Sequence, residues 1–513
     1  MTTPVAGSTP AAPPTTGIVQ APAEEMFDSV DPATGELVGR FPVHDQAAVR
    51  DAVGRAQPAA RWWAALGFDR RAARLREWRT LLAGSMYRLA ELVHRENGKP
   101  VDDAIIELVP VLEHLDWAAR HAGKVLGPRK VRPGMLAANH AATLEYQPYG
   151  VVGVIGPWNY PVLTPMGSIV YSLAAGNAVV FKPSELTPAV GAWLVDSFGS
   201  VVPEHPVLQL VTGFGPTGAA LCRSGVDKLA FTGSTGTGKR VMAACAETLT
   251  PVVIECGGKD ALVVDADADL DAAADAALWA GMSNAGQTCV GVERVYAVDA
   301  VYDEFVARLA ERARGLRPGE DRTASYGPMT LPSQLEVVRR HVADALARGG
   351  RAVVGGVESV RPPYVDPIVL VDVPEDAAAV QEETFGPTLT VTRVSDVEQA
   401  VRLVNGTRYG LAAAVFSKSR GEAIARRIRS GMASVNAVVA FASVAALPFG
   451  GVGDSGFGRI HGADGLREFA RPKAITRQRF PAPIDVTTFR RKPGAIRRLV
   501  TVAQLRYGRP PRK

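Results

Sequence analysis

Cysteine is scarce in this chain and its spacing pairs none of it: Cys222, Cys245, Cys256 and Cys289 stand apart, with no C-x-x-C and no neighbouring histidine cluster. A zinc site and a disulfide framework are therefore not expected, no metal site is read, and a reducing cytoplasm fits best. Long apolar runs are also lacking, because Gly, Pro or a charge interrupts each candidate before the ~18 residues that a spanning helix needs. The first 25 residues hold no arginine and no basic stretch ahead of an apolar one, so neither a transit peptide nor a secretory signal is read there. Segment 1–26, rich in Pro, Ala and Thr, is expected to be a disordered leader.

What is present is ordinary globular composition: 513 residues, 47% hydrophobic and 21% charged, enough for two or three domains. Folded sequence is expected from about Phe27, with D-P-A-T-G-E at 31–36 as a turn. Apolar residues three and four apart predict amphipathic helices over 47–57, 70–97 and 101–122. Segment 130–149 has no helical period and reads as a hairpin or protruding arm. From Val151 the pattern changes. Apolar runs at 151–156, 178–181, 207–211 and 228–232 alternate with helix-like segments, the mark of an α/β layer with strands covered on both faces. A second α/β region follows, with helices expected over 270–283, 301–316, 333–347 and 397–405.

Chemistry concentrates in a few loops. In N-A-G-Q-T-C-V-G-V-E-R, residues 284–294, Cys289 is a candidate nucleophile, its reactivity set by how far nearby dipoles and charges lower its pKa; the alternative is a small buried hydrophobe. Glu255, in V-V-I-E-C-G-G-K-D, is a carboxylate among apolar residues, so its pKa should rise and suit a general base, unless it only pairs with Lys259. The loop G-S-T-G-T-G-K at 233–239 opens a helix and suits a phosphate, although Arg240 stands where a Walker loop needs Ser or Thr. A plain glycine-rich turn is the other reading. In Q-E-E-T-F-G-P, 381–387, Glu383 can accept from ligand hydroxyls and Phe385 can stack on a flat ring, or Phe385 anchors a surface turn. The glycine-rich stretch 448–459 should be a loop bordering the site.

Together these residues resemble the NAD(P)-dependent aldehyde dehydrogenases over about 27–480, through G-P-W-N-Y-P (156–161), K-P-S-E (182–185), F-T-G-S-T-G-T-G (231–238), E-C-G-G-K (255–259), G-Q-T-C (286–289), E-E-T-F-G-P (382–387) and P-F-G-G through S-G-F-G-R (448–459). The resemblance implies an α/β fold: a cofactor domain over 27–129 and 150–257, a catalytic domain over 258–469, and a small β arm over 130–149 and 470–482 that joins subunits into a homodimer or homotetramer. It implies that Cys289 attacks the aldehyde and Asn159 with the Cys289 N–H holds the oxyanion, each donor worth roughly 3 to 4 kcal/mol in a dry site. Hydride then passes to the nicotinamide, and Glu255 activates the water that releases the acid. By the same resemblance Lys182, Ser184 and Glu185 lie at the adenosine ribose, Gly233, Ser234 and Gly238 at the pyrophosphate, Trp158 near the cofactor, and Glu383 with Phe385 at the nicotinamide ribose and ring. Glu185 favours NAD, with NADP also admissible.

Departures from the family pattern are Cys256, where leucine is usual, and Gly236, often glutamate. The resemblance also implies that Tyr160, Thr164, Gly167 and Phe449 lie near the mouth of the substrate channel, where Gly167 takes a place often filled by an aromatic. A wider channel and an apolar aromatic or long-chain aldehyde are expected, with a semialdehyde as the alternative. A cysteine hydrolase or thioesterase, or a non-catalytic scaffold, is disfavoured by the intact cofactor motifs. Beyond Ala470 the chain is strongly basic, with thirteen Arg and Lys against Asp485, while the whole chain is only +5. Nucleic-acid binding by the body is not implied. In this tail, 483–513, Ile496, Leu499, Val500, Ala503 and Leu505 read as one apolar face beside arginines, suited to the inner membrane face or to a neighbouring subunit.

Overall fold

A computed structural model describes residues 25–321, 323–482 and 484–508, so nearly all of the expected leader lies outside the described residues. Two compact units divide the chain: Met1–Val125 with Pro148–Ala470, and Leu126–Gln147 with Arg471–Lys513.

In the larger unit, Met26–Val30 pairs with Leu37–Pro42 across the 31–36 turn, where Asp31 Oδ1 accepts the N–H groups of Ala33 (2.8 Å) and Thr34 (3.2 Å). Helices Gln46–Ala65, Gly67–Gly84, Met86–Asn97 and Val101–Leu126 follow. The single helix expected over 70–97 is therefore two. Its apolar spacing continues past the break, but Ser85 leaves helical geometry at φ −112°, ψ 7°.

A six-stranded sheet runs, edge to edge, Gly456–Phe457, Val252–Cys256, Lys228–Gly233, Val151–Ile155, Ala178–Lys182, Leu208–Leu210. All but the first are parallel. The chain enters at Val151–Ile155, fills one side, then crosses back to Lys228–Gly233. The strand order thus reverses between those two neighbours, and such a switch point opens a crevice at the carboxyl ends of the strands. Nearly every residue in these strands is buried, which is why they read as unbroken apolar runs.

The second sheet runs Arg351–Val354, Ile368–Val371, Thr388–Val394, Val292–Val298, Asp260–Val264, Ala413–Phe416, Ser434–Val435, parallel apart from the first. Helices Leu270–Met282, Asp299–Arg314 and Pro332–Ala347 cover it, with Phe305, Leu309 and Val338 in its main core. One placement crosses the expected boundary. Gly456–Phe457, assigned by sequence to the second region, adds to the first sheet against Ile254 and Glu255, and helix Gly462–Glu468 follows it.

The smaller unit is a three-stranded sheet of Ala470–Gln478, His140–Pro148 and Arg129–Val131, extending four residues earlier than the expected start at 130. Its C-terminal part holds the helix Ala495–Tyr507. Ile496, Val500 and Tyr507 share one exposed face. Leu505 does not belong to it: nine residues from Ile496 is two and a half turns, which puts it on the opposite side.

Candidate active site

Cys289 follows a short turn, Ser283–Gly286, in which Asn284 (φ 52°), Ala285 (φ 56°) and Gly286 (φ 71°) are all left-handed. Two of the three carry side chains and so are strained, which demands a surrounding structure that over-determines them. Gln287 supplies much of it. Fully buried, it donates to the carbonyls of Asn284 (2.9 Å) and Pro328 (3.3 Å) and accepts the Thr330 N–H at 2.9 Å. A side chain at Gly286 would collide with the backbone of Gly386. The loop is thereby fixed, and Thr288 meets the Tyr160 hydroxyl at 3.0 Å.

Glu255 reaches the same place from the first sheet. It lies near the carboxyl end of Val252–Cys256, and its Oε1 accepts from the Cys289 thiol at 3.8 Å. Burial pushes its carboxyl up to about 7, against the opposing pull of that hydrogen bond. The thiol itself is held well above its ordinary range by burial and by the charges of Glu255, Glu383 and Asp260. The resting sulfur is therefore protonated, unlike a nucleophile activated by a nearby cation, and needs a base beside it. Both side chains open on one cavity of about 200 Å³.

Tyr160, Thr164 and Phe449 line this cavity, whereas Gly167 does not. The space that its missing side chain leaves is already filled: a Cβ there would stand 2.8 Å from His461 Nε2 and 2.8 Å from Ile460 Cδ1. Glycine at 167 thus accommodates residues from the far end of the chain and does not widen the channel. Asn159 is buried beside the cavity, with one amide hydrogen directed to the Gln287 carbonyl at 3.0 Å.

Lys259 is not the partner of Glu255. It forms a buried ion pair with Glu293 and donates to Thr384 Oγ1 at 3.1 Å. Glu293 also accepts the N–H groups of Thr384 (2.8 Å) and Phe385 (3.0 Å), so this pair shapes the 383–385 loop. A second buried pair, Lys99 with Glu107 at 2.6 Å, shapes the Asn159 side of the cavity. Lys99 donates to the Asn159 carbonyl at 2.8 Å, and Glu107 accepts from Val162 (2.8 Å) and Leu163 (3.0 Å). Sequence reading missed Glu293, Lys99 and Glu107. The available signal was a Glu-Arg dipeptide inside the apolar strand Val292–Val298, and the lysine of N-G-K-P.

The family model described as Aldehyde dehydrogenase family matches residues 18–475. The chain belongs to the aldehyde dehydrogenase family. Among its relatives, a Methylomonas protein named 4,4'-diapolycopene aldehyde oxidase is 38% identical over 459 residues, covering 88% of this chain and 86% of that one. A Mycolicibacterium smegmatis protein, provisionally named succinate-semialdehyde dehydrogenase (NADP(+)), is 36% identical and covers 89% of each. The crystal structure of an NAD-dependent aldehyde dehydrogenase from Sinorhizobium meliloti superposes with a TM-score of 0.86 at 31% identity, covering 91% of this chain and 94% of that one. This aldehyde dehydrogenase is therefore an oxidoreductase acting on an aldehyde group with NAD(P).

The crevice of this aldehyde dehydrogenase fits a dinucleotide. At the switch point Ser234 caps the helix Thr235–Ala246, accepting from the Thr237 N–H at 3.3 Å, so a helix N-terminus faces the crevice where a pyrophosphate would sit. Gly238 lets that helix pack on the strand beneath: a Cβ would stand 2.9 Å from Cys256 Sγ. Gly236 has open space around it, so the absence of a side chain there is not a packing demand. Lys182 is buried with one hydrogen bond, to the Pro183 carbonyl at 3.1 Å, and Glu185 lies 3.9 Å away, leaving donors for a ribose. Ser184, also buried, accepts from the Leu186 N–H at 3.2 Å. The Trp158 and Phe385 rings meet edge-on, centroids 5.6 Å apart. Glu383 accepts from the Gly258 N–H at 3.1 Å, and burial with the neighbouring Glu293 charge raises its carboxyl to about 8.

Proposed function

We propose that the substrate is an apolar aldehyde, aromatic or long-chain, oxidised to its carboxylic acid through Cys289 and Glu255. One observation carries this reading: the cavity shared by those two residues has a single cationic side chain among its described lining, Lys99, and that ammonium is already bound to Glu107 and the Asn159 carbonyl. A substrate carboxylate would find no free cation to hold it. It would also face Asp103 and Glu255 on the wall.

In this mechanism the thiol proton passes to Glu255, 3.8 Å away, and the sulfur adds to the aldehyde carbon. The oxyanion is met by the second Asn159 amide hydrogen and the Cys289 N–H, each worth about 3 to 4 kcal/mol. A bound nicotinamide supplies the hydride acceptor. Lys182, Ser184, Glu185 and the 233–238 turn hold the nucleotide end, with Trp158, Glu383 and Phe385 about the ring end. Once the thioester has formed and Glu255 has returned its proton to solvent, its carboxylate takes a proton from the water that attacks the acyl carbon. Glu185 accepts from a free ribose hydroxyl and repels a phosphate, so NAD is the preferred cofactor.

A panel of nonanal, benzaldehyde and succinic semialdehyde, each with NAD and NADP and followed at about 340 nm, tests this. Higher kcat/KM on the first two supports the reading. Activity confined to succinic semialdehyde overturns it, in favour of the second reading suggested by the names of the mycobacterial relatives.

We further propose a cytoplasmic homodimer or homotetramer built through the three-stranded sheet, whose strand Ala470–Gln478 is exposed beyond its first residue. The helix Ala495–Tyr507 then touches an anionic membrane surface through Ile496, Val500 and Tyr507, with Arg497 and Arg506 flanking them. No helix among the described residues is long and apolar enough to cross a membrane. Light scattering that finds a monomer, or liposome sedimentation unchanged by removal of 481–513, overturns the respective half of this proposal.

A further inference from the structure

His341 is buried on the helix Pro332–Ala347, outside the lining of the catalytic cavity, and both of its ring nitrogens are engaged. Nδ1 lies 3.1 Å from Thr384 Oγ1, and Nε2 lies 3.3 Å from Glu382 Oε2. The neighbours fix the direction of both bonds. The Lys259 ammonium can only donate, so Thr384 Oγ1 accepts from it at 3.1 Å and keeps its own hydrogen for another partner. Nδ1 is the acceptor that hydrogen meets. The imidazole proton therefore sits on Nε2 and is donated to the Glu382 carboxylate, which Arg340 also holds at 3.2 Å. Burial, with the charges of Lys259 and Arg340, keeps the ring below its ordinary pKa and so in the neutral form that this pattern requires.

Thr384 is the residue these bonds serve. Its N–H goes to Glu293 at 2.8 Å, its carbonyl accepts from Gln334 Nε2 at 2.6 Å, and its hydroxyl joins Lys259 to His341, so every polar atom it has is held. The residues on either side need such an anchor. Phe385 is left-handed at φ 51°, a strained conformation for a residue with a side chain, which persists only where the surroundings over-determine it. Glu383 has one described hydrogen bond, from the Gly258 N–H at 3.1 Å. The fixed point of the loop is the threonine between them.

Resting on the reading that Glu383 and Phe385 hold the nicotinamide end of the cofactor, we propose that His341 is a positioning residue for hydride transfer. By accepting from the Thr384 hydroxyl it keeps those two side chains in the pose from which the ring takes the hydride.

Three substitutions separate the two bonds. His341→Leu removes both. His341→Asn carries an amide oxygen about where Nδ1 lies and still accepts from Thr384, whereas His341→Gln carries its amide nitrogen near Nε2 and keeps only the bond to Glu382. Single-turnover reduction of NAD, followed at about 340 nm with the fastest aldehyde of the panel, reads the hydride step. It should slow roughly tenfold in His341→Leu and His341→Gln, one hydrogen bond's worth, and recover to within about threefold of wild type in His341→Asn. Alkylation of Cys289 by iodoacetamide without cofactor, read by peptide mass, should keep its wild-type rate in all three, because Gln287 and not Thr384 holds the loop of the sulfur. A hydride step unchanged in His341→Leu overturns the proposal. So does one slowed equally in the asparagine and glutamine variants, a contrast that stands even if the leucine variant does not fold, or one slowed together with Cys289 alkylation. Glu383→Ala tests the reading beneath it: reduction of NAD at the wild-type rate in that variant overturns the placement of the loop at the nicotinamide, whereas a slow Glu383→Ala beside an undisturbed His341→Leu overturns the role of His341 alone.

Discussion

Replacing Glu255 with glutamine separates the two halves of the reaction. The side chain is 5% exposed and its carboxyl is raised from the usual 4.5 to about 7, so near pH 7 about half of the enzyme carries the base form. Wild-type kcat should therefore rise with pH through about 7 and fall roughly tenfold per unit below it, if deacylation limits turnover. Glu255→Gln keeps the volume and removes the base. Steady-state kcat should drop by roughly 10² to 10⁴ and lose that pH limb. The first turnover should survive at alkaline pH, where solvent hydroxide takes the Cys289 thiol proton in place of Glu255 and the loss of the carboxylate charge removes one of the causes that hold that thiol high. Rapid mixing at about 340 nm should then show one reduced cofactor per active site followed by a slow phase. The same substitution has a stability signature. A carboxyl raised in the folded state favours folding below its unfolded value of 4.5, and that contribution disappears as pH rises through about 7. The shift corresponds to about 3 kcal/mol, so Glu255→Gln should raise Tm at pH 8 and leave it nearly unchanged at pH 4. A variant whose kcat stays within threefold of wild type at pH 8 refutes the general-base assignment. A variant with no first turnover at alkaline pH refutes the division of labour.

Lys99→Met leaves Glu107 buried without its cation, and should cost about 3 to 5 kcal/mol in thermal or urea unfolding; the double variant with Glu107→Gln should recover much of the stability but not kcat, because the Asn159 carbonyl has lost its ammonium. Gly238→Ala places a methyl 2.9 Å from Cys256 Sγ and should raise KM for the dinucleotide several-fold with aldehyde KM unchanged, an overpacking effect of about 1 to 3 kcal/mol that Cys256→Ala relieves in the same chain.

The parallel strands were legible because burial on both faces leaves no polar alternation: Val151–Ile155, Ala178–Lys182 and Lys228–Gly233 read almost to their ends as apolar runs. The Cys289 and Glu255 loops were legible because a thiol among small residues and a carboxylate inside a strand are chemically conspicuous. What was not legible depends on distant partners. Gly167 looked like an opened channel, and only residues 460 and 461 show that the space is filled. Gly456–Phe457 is too short to carry a period, and its place beside Glu255 comes from pairing across two hundred residues of chain. The side of Leu505 was within reach of helical arithmetic. The Ser85 break was not, since apolar spacing continues through it.

The fate of the buried cations explains why Glu255 suits its place. Two lysines lie close in sequence or space to the site, and each has an obvious carboxylate within reach that is not Glu255: Lys99 holds Glu107, and Lys259 holds Glu293. Had Lys259 paired with Glu255, Coulomb attraction would have kept that carboxyl in the ordinary range and weakened it as a base. Glu293 prevents this by taking the Lys259 ammonium while its own oxygens collect the N–H groups of Thr384 and Phe385. The carboxyl left facing the sulfur then has burial as its main influence, and a thiol as its one described hydrogen-bond partner. Buried ion pairs contribute little net stability. Their value here is positional: by consuming the local positive charge they leave one carboxylate with a proton affinity matched to neutral pH, and they fix the loops on either side of it.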